Sequence, residues 1–263
     1  MIALTYHTRI FWAGSLLALS CYAWGESASV ANQSNNPLHP AFALAFHNYY
    51  TPELYGSEQH TDDFFLRGTI PIAPGLIPVP QIFRMSVPVV TRPQISGGYN
   101  TGIGDINIFD ILLLKQKGVK LGVGPLLTLD SASQDESGSG KWQGGFSAVV
   151  VQDSGSGLFG GLLQWQKSFA GDNDRTNVET LTLQPFIFHN LPQGWYLRSS
   201  GIMTYNMQND DYYLPVGVGI GRAWKSGSNI INTFIEPQWT VAHNGDYEPQ
   251  FTLFTGLNIT FGR

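Results

Sequence analysis

The chain has 263 residues, with 30 glycines, seven tryptophans, only 13% charged residues and a net charge of −5. A soluble globular domain carries roughly 25% charged residues, and nucleic-acid binders are basic. This composition therefore argues against a typical soluble α/β enzyme, a coiled coil, a disordered chain and a nucleic-acid partner, while a mean hydropathy of −0.05 shows apolar and polar residues nearly balanced without charges.

In chain order, His7 and Arg9 precede an apolar run, Ile10–Leu19, and Ala23-Trp24-Gly25 puts small residues before Glu26. That layout predicts a secretory signal peptide over 1–25; the run is shorter than the roughly 18 residues of a membrane helix. Cys21 is the only cysteine and sits in a poor lipoprotein box, so cleavage after Gly25 leaves no disulfide, thiolate metal site or thiol nucleophile. Residues 26–40 are polar and irregular and read as a flexible, exposed periplasmic lead-in. Residues 41–263 read as one β-barrel.

From Ala41 onward the hydrophobic period is two. Strands are expected at Ala43–Tyr50, Phe64–Ile72, Gln81–Val90, Asp105–Leu114, Val119–Leu129, Trp142–Gln152, Phe159–Phe169, Thr180–Phe188, Tyr196–Asn206, Tyr212–Trp224, Ile231–Val241 and Gln250–Phe261. The last is the most regular. Phe251, Leu253, Leu257, Ile259 and Phe261 share one face with Thr255, and Gln250, Thr252, Asn258 and Thr260 share the other. Asp110 is out of pattern: alternation from Ile106 and Ile108 sends it to the apolar face, and a bulge or a position near the membrane edge would resolve this.

A soluble sandwich would carry Lys and Glu on its polar faces. Here those faces carry Gln, Asn, Thr, Ser and Gly, which fits a wet, confined lumen. Segments mostly of ten to thirteen residues suit a tilted membrane strand, which needs roughly 9–11. Aromatic residues gather near segment ends, at Tyr49, Tyr50, Trp142, Trp195, Tyr196, Tyr212, Tyr213, Trp224 and Trp239, as interface girdles would. The reading is an all-β, antiparallel up-and-down transmembrane barrel of about twelve strands.

The links alternate in length and charge. The longer set, including 130–140 and 170–177, holds most of the acidic residues; the shorter set, including 115–118, 191–194 and 225–228, holds Lys115, Lys117 and Lys225. Long extracellular loops and short periplasmic turns are the expected pattern. The acidic loops are either simply solvated or bridged by divalent cations to lipopolysaccharide.

Several segments resemble a family of Gram-negative outer-membrane proteins described as transporters or "MetA-pathway of phenol degradation" proteins, sometimes mislabelled neuromedin U. The matching stretches include Asn36-Pro37-Leu38, the run from Phe83 to Thr91, the run from Gly102 to Asp110, Gly122-Val123-Gly124-Pro125, the run from Gly138 to Gln143, the run from Ser168 to Asp172, and the run from Asn190 to Tyr196. Their order along most of 36–263 carries the resemblance. It implies a β-barrel in the outer membrane with a transport role, for hydrophobic or aromatic compounds, and it brings no catalytic residues.

Candidate chemistry is sparse. Gly102-Ile103-Gly104 lacks the third glycine and the helix of a dinucleotide loop, and no cofactor motif or hydrolase signature is present. His39, His47, His60, His189 and His243 lack metal-ligand spacing and are placed in loops or at the interface. A Ser/His/acid site assembled from distant strands, which would make an outer-membrane enzyme, and a non-conducting structural barrel stay open as alternatives. Alternation places Arg67, Arg84, Asp105, Arg198 and Glu236 on the polar faces with Gln164, Gln184, Asn232 and Gln238. These residues are expected to line the lumen, either as a selective pathway or as a structural ion-pair network.

Overall fold

A computed structural model describes residues 28–94 and 96–262. Residues 1–25, expected to be a signal peptide, and Cys21 among them, lie outside the described residues.

All twelve expected strands are present. They are β1 (Ala43–Leu54), β2 (Thr61–Ile72), β3 (Gln81–Pro93), β4 (Tyr99–Ile103 and Asn107–Lys115), β5 (Lys120–Thr128), β6 (Lys141–Ser154), β7 (Gly157–Gly171), β8 (Glu179–Asn190), β9 (Trp195–Ser199 and Met203–Asn206), β10 (Tyr212–Gly217 and Gly219–Ser226), β11 (Asn229–Asn244) and β12 (Pro249–Thr260). Each pairs antiparallel with its sequence neighbour, and β12 returns to β1, from Ala43↔Thr260 to Tyr50↔Leu253. The sheet is thus a closed barrel without a free edge.

Alternation decides the faces. Val218, Val241, Phe169 and Ile187 point outward and are 65%, 67%, 66% and 58% exposed, whereas Asn232, Ser147 and Glu236 point inward and are fully buried. A soluble protein would invert that arrangement; a lipid-facing wall around a polar interior requires it. Trp142, Trp195, Trp224 and Trp239 are exposed on the outer wall. Tyr49 and Tyr196, expected in the girdles, instead turn inward: Tyr49 stacks on Phe254 and Tyr196 is 0% exposed. Each falls on the inward phase of its strand, so register overrides the preference of an amphipathic ring for the interface.

Asp110 keeps its alternation. It pairs with Phe83 on the outer face, and the irregularity in the β4–β5 ladder comes later, between Leu113 and Lys115. A bulge at Asp110 is therefore not the explanation of its place.

Residues 28–35 form a helix, α1, and not the irregular exposed lead-in expected from their polarity. Ala28, Val30, Ala31 and the following Leu38 are buried in the core that fills one end of the barrel. The helix stops before Pro37, where the Asn36 side chain accepts from the Leu38 N–H at 2.9 Å in an Asx turn. Its polar side chains bond to the wall. Asn232 Nδ2 donates to Ser34 Oγ and Asn35 Oδ1, both at 3.0 Å, and Asn190 Nδ2 donates to Asn32 Oδ1 at 3.0 Å. Amide side chains thus have wall partners inside the barrel, which is why a segment that reads as solvated packs there. The stretch is too short for its apolar stripe to declare itself as a period.

Candidate functional site in the lumen

Above α1 lies a cavity of about 170 Å³, reached by side chains from β1, β2, β3, β7, β8, β9, β11 and β12. Its polar wall is built by register. Ala43 and Ala45 on β1 face Thr69 and Arg67 on β2, and the small side chains leave space for the guanidinium. On the next pair, Thr69 faces Arg84 and Arg67 faces Ser86. Arg84 Nε donates to Thr69 Oγ1 at 3.0 Å, and its guanidinium carbon lies 5.4 Å from the Phe109 ring centre. Arg67 lies over Phe65 at 4.6 Å and makes a 2.6 Å contact from Nη1 to His47 Nδ1.

His47 is in the lumen, not in a loop or at the interface. A guanidinium only donates, so His47 Nδ1 accepts and Nε2 carries the proton, donating to Asn258 Oδ1 at 2.7 Å. The ring also meets Phe254 and Phe234 edge-on, with centroids 5.3 and 5.5 Å apart.

The third arginine sits in a different environment. Arg198 and Glu236 are 6% and 0% exposed. Arg198 Nε donates to Glu236 Oε2 at 2.6 Å, and its guanidinium carbon is 3.5 Å from the Phe234 ring centre. Glu236 also accepts from the Ser200 N–H at 2.7 Å, Ser200 Oγ at 2.8 Å and Gln238 Nε2 at 2.9 Å. The wall is cut to receive this network. The β9–β10 ladder stops after Arg198↔Gly219 and resumes in the same register at Thr204↔Tyr213. The freed Ser200 N–H turns to the carboxylate. A Cβ on Gly217 would lie 2.6 Å from Glu236 Oε1, and one on Gly219 would lie 2.7 Å from Glu236 Cβ, so only glycine leaves the space.

The other expected lumen residues divide. Gln184 reaches the cavity and donates to the Ser200 carbonyl at 3.1 Å. Gln238 serves Glu236. Asn232 is below, where it accepts from Tyr196 OH at 2.6 Å and holds α1. Gln164 donates across the β6–β7 ladder to Ser147 at 2.9 Å. Asp105 does not line the cavity. It occupies the break between the two halves of β4 and accepts from the N–H groups of Ser131, Ala132 and Ser139, the last at 2.7 Å. There it fixes the 129–140 loop. A carboxylate at a strand break finds backbone donors close by, whereas alternation had extended the strand through it.

Ser200, Phe234 and Phe254 were not singled out from the sequence, and His47 was assigned to a loop or the interface. Alternation carried the signal for His47, which shares its face with Ala43 and Ala45. Among the described residues no group of three or more His, Cys, Asp or Glu side chains is placed to hold a metal ion.

No family model and no curated protein matches the chain. Solved structures do. The COG4313 outer membrane channel from Pseudomonas putida F1 superposes with a TM-score of 0.60 at 13% identity, covering 84% of this chain and 96% of that one. The NanC porin gives 0.52 at 10% identity, covering 85% and 100%. At these identities the likeness is one of fold: the chain is a closed, outer-membrane type antiparallel β-barrel of twelve strands.

Proposed function

We propose that this chain is a bacterial outer-membrane channel for small solutes with apolar or aromatic bodies, with both described ends of the chain on the periplasmic side. The observation that carries the reading is the cavity itself: a lumen chamber with guanidinium groups on two walls, Phe186, Phe188, Phe234 and Phe254 around it, and α1 with Asn36 and Pro37 as its floor. Barrels of eight strands are filled by side chains and those of sixteen or more hold wide pores, so twelve suits a narrow, gated passage. The signal-peptide pattern supports export, and the solved structures that share the fold are described as a channel and a porin.

The test is conductance of the full-length protein in planar bilayers under a KCl gradient, with liposome swelling for uncharged solutes. A small conductance with anion preference is expected; no conductance and no solute entry would overturn the channel reading. Orientation has its own test. Glu136 is exposed in the 129–140 loop and Gln193 in the turn before β9. Glu136→Cys is expected to label on intact cells and Gln193→Cys only after lysis.

A further inference from the structure

We propose that the lumen cavity is a binding site for an organic monocarboxylate with a single aromatic ring, its carboxylate held between Arg67 and Arg84. This deepens the channel reading by naming a solute class, and it rests on that reading only for where the bound molecule goes next.

The charge count comes first. Among the described residues three arginines reach the cavity, and Glu236 is the one carboxylate beside it, already engaged with Arg198. Asp63, the inward carboxylate further along β2, is paired with Arg92. Neither Arg67 nor Arg84 has a carboxylate partner among the described residues. His47 does not alter the count, because its hydrogen bonds require the singly protonated, neutral ring. Two positive charges therefore stand uncompensated in a confined space, where an unpaired charge is costly and an anion is strongly favoured.

Geometry narrows the anion. Arg67 and Arg84 lie diagonally across the β2–β3 ladder, with Thr69 facing Arg84 and Ser86 facing Arg67. Such diagonal neighbours are about 7–8 Å apart at the backbone, within reach of one ligand for long side chains. Arg84 uses only Nε in a hydrogen bond, leaving both Nη groups without a protein acceptor among the described residues. The rings of Phe65 and Phe109 lie close under the two guanidiniums and restrict their motion. A planar carboxylate matches these planar forks.

The remaining surface selects the body. Phe186, Phe234, Phe254 and Leu162 line the same cavity. An inorganic anion would leave them facing water. An apolar cavity of about 150 Å³ accepts benzene, so about 170 Å³ admits one ring with its carboxylate but not a nucleotide or an oligosaccharide.

Benzoate is the probe. Calorimetric titration of the full-length protein in zwitterionic detergent compares benzoate with benzyl alcohol, which keeps the ring, and with acetate, which keeps the charge. A charge-assisted bond is worth about 1.5–3 kcal/mol, so benzoate is expected to bind about tenfold to a hundredfold tighter than benzyl alcohol. Acetate is expected to bind at least tenfold more weakly than benzoate, since the ring adds its apolar burial. Arg84→Gln and Arg67→Gln should each cut benzoate affinity by about tenfold and leave benzyl alcohol unchanged, with heat-modifiable gel mobility confirming a folded barrel. Equal binding of benzoate and benzyl alcohol overturns the proposal without any variant, as does benzoate binding no tighter than acetate. Conductance without benzoate binding sinks this site and leaves the channel standing; benzoate binding in a barrel that passes nothing does the reverse.

Discussion

The lumen carries arginine on two walls, and the walls treat it differently. On β9, Arg198 is enclosed by Glu236, Ser200 and a phenylalanine face, with β9 and β10 adapted to the contact: glycines at 217 and 219, and a ladder opened at Ser200. On β2 and β3, Arg67 and Arg84 rest on rings, an imidazole and a hydroxyl, with no carboxylate among the described residues. The first wall completes its own electrostatics; the second leaves positive charge over for something that is not protein.

The largest effect should come from breaking the completed wall. Glu236→Ala strands a buried guanidinium and the Ser200 N–H together, a loss of about 3–5 kcal/mol. Urea titration in micelles should record it as a lower unfolding midpoint. Arg84→Gln gives up the bond to Thr69 and the ring contact with Phe109, together about 1–2 kcal/mol. Equal losses from the two variants would erase the distinction between the walls. The next effect is on the floor. Asn232→Leu removes the acceptor for Tyr196 OH and the donor to Ser34 and Asn35, loosening α1 from its seat. At about 1 kcal/mol for each net hydrogen bond, the variant should raise single-channel conductance several-fold while the barrel still folds. Unchanged conductance would show that α1 does not limit passage.

How far the sequence discloses this arrangement depends on range. Strand number and face follow from period-two patterning, because each strand needs only its own residues to declare a lipid side and a lumen side. Arg67, Arg84, Arg198 and Glu236 were legible as inward charges for that reason. Which of them pair was not, since Arg198 meets Glu236 across 38 positions through a ladder gap that no local pattern announces. Residues 28–35 were misread because their polar side chains look solvated until the barrel's own Asn190 and Asn232 are there to bond them. Asp105 was misplaced because alternation cannot see a strand break.

A smaller effect sharpens the incomplete wall. Arg84→Gln removes one of two uncompensated charges, so the reversal potential in a KCl gradient should move toward cation preference, and Arg84→Lys should restore it in part. A conducting channel whose selectivity ignores both changes would take Arg84 out of the ion path.

The smallest effect tests whether the contrast extends to the far rim. Glu248, between β11 and β12, is held up to about 7 by burial and then by the neighbouring Asp211 carboxylate, against an ordinary value of 4.5. It is the acidic counterpart of Arg84: a charge whose surroundings do not neutralise it. Its folded value is raised, so the stabilisation is fully present below about 4.5 and is lost as pH rises through about 7. The rim around it is tied by Tyr55 N–H to the Glu248 carbonyl at 2.9 Å and by Tyr247 N–H to the Tyr55 carbonyl at 2.8 Å. Hydrogen exchange at Tyr55 and Tyr247, corrected for the intrinsic pH dependence, should therefore show less protection at pH 8 than at pH 5. Glu248→Gln should flatten that difference by removing the titration, and Asp211→Asn should shrink it by removing the second cause. Protection that grows with pH would mean that an unrecognised cation stabilises the carboxylate there, and the rim would then belong with the completed wall.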